Sequence, residues 1–203
     1  MKAFVVVCLC GLSWVMPAAQ SKLGIFTSPD SIFQFKYSFV LVQCSLEQTE
    51  RGLNGSWAPE GCLCDDEDSA TTIACFAYPK DKFKDKPTFV GAAFFVAEVR
   101  PAITPSACLQ GSRNWLVRNV HIARINSVSF KHFRVSDAWT SHRQTGDIYR
   151  VFHDQKCYEV GIQQIDTSAG AYDPGAIKEF TKLDAGAVRD RLQQALDSFV
   201  FLR

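Results

Sequence analysis

The sequence predicts an α+β fold: an antiparallel sheet packed with helices and stapled by disulfides. Three observations carry that expectation. Aromatic and β-branched residues alternate with polar ones over several short runs, the period of half-buried strands. These runs follow one another through short turn-like connections, and a strongly amphipathic helix comes only at the C-terminal end, an order that segregates strands from helices. Six cysteines, an even set, lie beyond an N-terminal segment that reads as a secretory leader.

In residues 1–21, Lys2 supplies the positive end, residues 3–15 the apolar run, and Ala19 and Ser21 the small residues before a cut at Lys22. The run is shorter than the roughly 20 residues needed to span a bilayer, so it reads as a cleaved signal peptide, and no membrane span follows cleavage. Cys8 and Cys10 leave with it. Residues 22–203 then form a single domain of about 180 residues, long enough for one core. Without Lys2 the 22 basic residues fall to 21, equal to the 21 acidic ones. A formally neutral chain does not suit nucleic acid, because polyanion binders displace counterions with a basic face. The densest basic stretch, Lys80, Lys82, Lys84 and Lys86, is interrupted by Asp81 and Asp85 and reads as a solvated loop. The expected location is periplasmic or extracellular, where cysteines act as cross-links.

Taken in order, residues 31–44 alternate Phe33, Phe35, Tyr37 and Phe39 against Gln34, Lys36 and Ser38, which predicts a first strand. Residues 45–69 are polar, Gly-rich and acidic, with Asn54-Gly55, Ala58-Pro59 and the Asp65-Asp66-Glu67-Asp68 cluster marking turns in a long loop. Strands are expected over 71–78 and 89–99, both rich in aromatic and β-branched residues. Thr104-Pro105 fits an N-cap followed by Pro at the first helical position, so a short helix follows, with Gly111 as its stop. Residues 120–135 read as two strand-like runs around Asn126-Ser127. Residues 137–146 read as a loop. Residues 148–152 and 157–165 flank a four-residue connection and form a hairpin, and Asp173-Pro174 is placed at another short helical turn. Val188, Leu192, Ala195, Leu196 and Phe199 share one helical stripe with Thr181 as the cap, while Gly186 weakens that helix by up to about 1 kcal/mol.

Cys44, Cys62, Cys64, Cys75, Cys108 and Cys157 allow 15 pairings. Strand adjacency favours Cys44 with Cys75, and Cys157 on the hairpin with Cys108 on the short helix. Cys62 and Cys64 are then either joined in a small ring or each paired elsewhere. Stapling is the main reading; thiol exchange at Cys62-Leu63-Cys64 is the alternative, disfavoured by acidic neighbours that raise a thiol pKa. His121, His132, His142 and His153 lie about ten residues apart, outside zinc-ligand spacing, and the acidic cluster lacks the order of a calcium loop. His132 and His153 read as hydrogen-bonded structural residues. No pattern for a cofactor is present, and no nucleophile elbow, metalloprotease motif or phosphate loop occurs. Dispersed hydrolase residues, if any, would come from the stretch Asp137-Ala138-Trp139-Thr140-Ser141-His142-Arg143. The same region suggests a binding surface built from Trp139, His142 and Tyr149, amphipathic side chains of the kind enriched at interfaces, for a protein or small-molecule partner. Asn54-Gly55-Ser56 is a glycan acceptor only in a eukaryotic secretory route.

Two segments carry a family resemblance: Phe26-Thr27-Ser28-Pro29-Asp30-Ser31-Ile32-Phe33-Gln34-Phe35-Lys36-Tyr37, and Tyr149-Arg150-Val151-Phe152-His153 with Cys157-Tyr158-Glu159-Val160. They resemble secreted bacterial proteins of unassigned activity. The opening, together with the closing helix that ends in Ser198-Phe199, is similar to PsbP-like domains, which implies a layered sandwich with a sheet between helices. The chain departs from that pattern at Ser38, where Pro is usual, and in its cysteines. The resemblance implies a fold and brings no catalytic residues. The expected function is therefore a non-catalytic binding or structural module, with an envelope hydrolase or thiol-exchange enzyme as the alternative.

Overall fold

Among the described residues, alternating side chains build ten strands in two antiparallel sheets. The computed structural model describes residues 22–45, 62, 64, 70–102, 104–110 and 116–202, together with the backbone but not the side chains of Leu116 and Trp139. The expected signal peptide, the acidic cluster, the expected glycan acceptor sequence and Gly111 fall outside the described residues. The strands are β1 (Leu23–Thr27), β2 (Phe33–Ser38), β3 (Val42–Gln43), β4 (Ala70–Ala77), β5 (Phe89–Val99), β6 (Leu116–Ile125), β7 (Val128–Trp139), β8 (His142–His153), β9 (Lys156–Thr167) and β10 (Val200–Phe201). Helix α1 (Pro105–Cys108) is a single turn, and α2 (Lys182–Asp197) is the amphipathic helix. A small sheet has the order β1-β2-β10, and a large one the order β3-β4-β5-β9-β8-β7-β6. The class is thus more sheet-rich than a balanced α+β arrangement.

Several elements differ from the sequence expectation. Residues 31–44 break into β2 and β3, because the chain turns at 39–41 and leaves Phe39 exposed. Strand β1, which had no sequence signal, forms because β2 offers it a partner edge. Residues 137–146 are not a loop: they are the closed end of the β7–β8 hairpin, and only Thr140 and Ser141 turn, with Thr140 at φ 49°. The β8–β9 hairpin turns on two residues instead of four, Asp154 and Gln155, both at positive φ, the geometry that matches strand twist. Asp173-Pro174 opens a turn closed by Ala176 N donating to Asp173 O at 3.0 Å, not a helix.

The large sheet has two unlike faces. On the helix face, Phe76, Phe94, Tyr158 and Val160 meet Phe33 and Phe35 of the small sheet and Leu192 and Leu196 of α2. Helix α2 starts with a capping box, in which Thr181 Oγ1 accepts from Asp184 N at 3.2 Å and Asp184 Oδ2 accepts from Thr181 N at 2.8 Å. It ends where Asn126, in the left-handed turn of the β6–β7 hairpin, donates to Phe199 O at 2.7 Å. Among the described residues, no helix is long and apolar enough to cross a membrane.

The opposite, sulfur face carries Ala77, Ala93, Phe95, Ala97, Phe133 and Ile148, packed with cysteines. Here the structure keeps the expected Cys108–Cys157 pair and corrects the Cys44–Cys75 one. Cys44 is bonded to Cys62 and Cys64 to Cys75, while Cys108 is bonded to Cys157. Cys44 and Cys75 are backbone neighbours, Cys44 N donating to Cys75 O at 3.0 Å, but they are not bonded to each other. Residues two apart in extended chain project to one side, so Cys62 and Cys64 can bridge both members of this strand pair at once, whereas a bond between themselves would close a very small ring. The chain of Cys64 is further fixed by Thr72 Oγ1, which donates to Cys64 O at 2.9 Å. Gly161 lets Phe95 lie across β9: a methyl group there would run into the Phe95 ring and sit 2.9 Å from Ile148 Cδ1. A buried ion pair, Arg150 Nε to Glu159 Oε2 at 2.6 Å, occupies the same face. The chain leaving α1 is docked over it by two cations, Arg150 donating to Gln110 O at 2.8 Å and Lys131 to Leu109 O at 2.8 Å.

Candidate functional site

Alternation along β7 and β8 puts Arg134 and His132, then Arg143, Thr145, Asp147 and Tyr149, on the helix face. Toward the Tyr149 end this face is closed by α2 and the aromatic core. Toward the Arg143 end it emerges from beneath the first half of α2 and becomes polar. Between them lies a cleft of about 270 Å³, floored by Ile162 and Leu192 and walled by Arg134, Arg143, Asp147 and Arg189.

Asp147 organises this cleft. The residue is 5% exposed; Oδ1 accepts from His132 Nε2 at 2.9 Å, and Oδ2 accepts from Arg189 Nη2 of α2. Burial on its own would raise the Asp147 pKa, but the His132 hydrogen bond and the Arg189 guanidinium outweigh it, and the carboxyl is held below its ordinary value. The acid therefore stays ionised and already has two partners. Tyr149 packs its ring 4.6 Å from His132, and burial first, then the Asp147 charge, pushes its hydroxyl up to about 12. It remains a neutral phenol at physiological pH. His132 in turn faces His121 on the edge strand, Nδ1 to Nδ1 at 3.4 Å, and His121 Nδ1 donates to Asn119 O at 2.8 Å.

The guanidiniums are less satisfied. Arg143 reaches Asp166 at 3.0 Å but is two-thirds exposed. Arg189 spends one nitrogen on Asp147 and is half exposed. Arg134 has no ion-pair partner among the described residues, and its neighbour across the β6–β7 ladder is another arginine, Arg118. Like charges directly opposed across strands are destabilising. A larger cavity of about 900 Å³ lies by Pro79, Lys80, Phe83 and Tyr172; its lining comes largely from turns and exposed lysine stems.

Of the binding-surface residues expected from the sequence, Trp139 and His142 are register partners at the closed end of the β7–β8 hairpin, and Tyr149 lies apart from them. Tyr149 is half-buried on the helix face, whereas His142 begins β8 on the opposite face, seven residues or roughly 23 Å away along the strand. Trp139 ends β7, and its side chain lies outside the described residues. The hydrolase stretch forms the closed end of the β7–β8 hairpin. Asp137 Oδ1 accepts from Ala138 N at 2.8 Å, and Asp137 pairs in register with Gln144, not with His142. The thiol-exchange pair is not a disulfide of its own: Cys62 and Cys64 are each bonded to a sheet cysteine and buried. The Cys44, Cys64 and Cys75 sulfurs lie within 4.8 Å of one another, all three committed to disulfides. The residues of the cleft were not singled out in the sequence, because Arg134, Asp147 and Arg189 lie far apart in it and meet only through strand register and helix docking.

No protein-family model and no curated protein matches the sequence. Among solved structures, the chain is similar to LpqN of Mycobacterium tuberculosis, described as involved in cell envelope biogenesis, with 8% identity over 68% of this chain and 80% of that one and a TM-score of 0.40. It is also similar to the cyanobacterial PsbP protein, CyanoP, from Synechocystis sp. PCC 6803, with 10% identity over 94% of this chain and 98% of that one and a TM-score of 0.42. The likeness to PsbP is a distant one.

Proposed function

We propose that this chain is an exported binding module without a catalytic centre, and that its ligand seat is the cleft between α2 and the β7–β9 sheet face. The observation that carries this reading is the cleft itself, where charged side chains from one helix and two strands converge on rigid elements. Sites on such elements hold their geometry better than sites on loops. Asp147 is engaged on both oxygens and kept ionised, and Tyr149 is kept protonated, so neither group there is poised to exchange a proton near neutral pH. Export is supported by the leader-like residues 1–21 and by three disulfides, a chemistry that persists in oxidising compartments. The mature protein would begin at Lys22 in the periplasm or outside the cell.

Two measurements test the proposal. Intact mass and N-terminal sequencing of the exported protein are expected to show a chain starting at Lys22 and six hydrogens lighter than its reduced form; a reduced full-length chain in the cytoplasm would overturn export. A thermal-shift screen of small molecules is expected to find ligands whose stabilisation disappears when the cleft is filled by Gly186→Leu. Turnover of an ester, peptide or glycoside that follows the purified protein and is lost in Asp147→Asn would overturn the non-catalytic reading.

A further inference from the structure

Resting on that reading of the seat, we propose that the cleft binds an oxyanion, the carboxylate or phosphate head group of a small molecule, gripped by Arg134 and Arg189. Two independent features of the chain point there. The first is charge. Arg118 and Arg134 stand directly opposite on β6 and β7, both exposed, and Arg134 is followed across the sheet by Asp147 and then Ile162. With Arg143 and Arg189 also reaching this surface, the positive charge exceeds what Asp147 and Asp166 balance. Guanidiniums crowded on one face are unfavourable while empty, and an anion seated among the cleft residues Arg134, Arg143 and Arg189 relieves that crowding. Guanidiniums present paired N–H donors in a planar fork, the geometry that carboxylate and phosphate oxygens accept.

The second feature is Gly186. It lies in the body of α2, where glycine weakens the helix relative to alanine. Packing does not demand it, since a Cβ there would meet nothing within 4 Å. Yet it lines the cleft about one turn before Arg189. The missing side chain leaves room beside the guanidiniums. The volume, about 270 Å³, sits just under the lower end of the usual range for drug-sized ligands, roughly 300 Å³, so it suits a head group with the remainder of the molecule in solvent.

The test is calorimetric titration of the mature, oxidised protein with inorganic phosphate, with succinate, and with N-acetylglucosamine as a neutral probe, at ionic strength matched with chloride. Phosphate or succinate is expected to bind, and the stronger of the two identifies the head group. Arg134→Gln is expected to weaken that binding at least about tenfold, as for loss of a charge-assisted bidentate contact, while leaving the ligand-free melting temperature unchanged or higher. Gly186→Ala is expected to raise that temperature by about 2 °C, from helix propensity alone, and to weaken binding; Gly186→Leu is expected to abolish it. If only the neutral probe binds and Gly186→Leu removes it, the seat stands and the oxyanion assignment fails. If the anions bind but neither Arg134→Gln nor Gly186→Leu changes their affinity, or if none of the three probes binds, the assignment to this cleft fails as well.

Discussion

The two faces of the large sheet are held by different means. The helix face is built of volume: Phe33, Phe35, Phe76, Phe94 and Phe199 are all within 1% of complete burial and interlock through ring contacts such as Phe35 to Phe94 at 4.7 Å. The sulfur face mixes small residues, Ala77, Ala93 and Ala97, with fewer large ones, Phe95, Phe133, Val135 and Ile148, and has a buried ion pair among them and three disulfides over or beside them. Full burial of a phenyl ring contributes about 1.5–3 kcal/mol, and a methyl far less. A face rich in alanine therefore cannot be closed by apolar area to the same degree, and covalent links take over part of that task. Where apolar volume is short, cross-links substitute for it.

The largest effect that would break this contrast is loss of the cross-links. In the chain-entropy account the Cys108–Cys157 bridge, closing 49 residues, contributes about 4 kcal/mol, and Cys44–Cys62 and Cys64–Cys75, closing 18 and 11, about 3 kcal/mol each. Urea unfolding of the Cys108→Ser, Cys157→Ser double variant is expected to show the larger loss, and the Cys64→Ser, Cys75→Ser double variant the smaller. Equal losses would show that loop length is not what the bridges act through.

Next in size, Phe94→Ala on the helix face is expected to cost about 3–5 kcal/mol through the cavity it leaves. On the sulfur face, Glu159→Gln is expected to cost about 3 kcal/mol by removing the carboxylate charge that faces the buried Arg150 guanidinium, and a double exchange of Arg150→Met with Glu159→Leu is expected to recover most of it. If Glu159→Gln were neutral by denaturant unfolding, the ion pair would not be part of what closes that face.

The smallest effect is at the edge of the helix face. Asp184 both caps α2 and pairs with Lys86 at 2.6 Å, and the Lys86 hydrogen bond first, then those of Thr181, bring its carboxyl from 3.8 to about 2. A lowered folded-state pKa means stability that is present above pH 4 and lost as the pH falls toward 2. Asp184→Ala is expected to cost about 1 kcal/mol at pH 6, the usual value of a cap, and the difference from the parent protein is expected to shrink between pH 4 and pH 2. A difference independent of pH over that range would assign the effect to packing. Asp147, shifted in the same direction, adds to the acid sensitivity of the parent.

Local pattern made much of the framework legible. The Val188, Leu192, Ala195 and Leu196 stripe and the Thr181 cap specify α2 because helical periodicity and capping act within one or two turns. Residues 89–99 read as a strand because their aromatic and β-branched side chains are buried on both faces. Residues 142–147 were illegible for the opposite reason. Gln144, Thr145, Gly146 and Asp147 have no apolar alternation, and their strand forms because β7 and β9 hydrogen-bond it from both sides. The same blindness hid β1 and misplaced the Cys44 bond, since strand adjacency does not say which neighbouring sulfur a thiol will reach.

Periodicity, caps and turn residues are properties of neighbours along the chain, and the sequence alone determined the elements that depend on them: the C-terminal helix, the long β5 strand and the even complement of cysteines. Strand register and helix docking join residues separated by tens of positions. They decided that Arg118 opposes Arg134, that Arg189 of α2 reaches Asp147 of β8, and that Gly186 opens a space beside them. The cleft therefore belongs to the tertiary structure: each of its groups is an ordinary polar residue in its own segment, and it acquires a chemical role only from the charges that the fold places next to it.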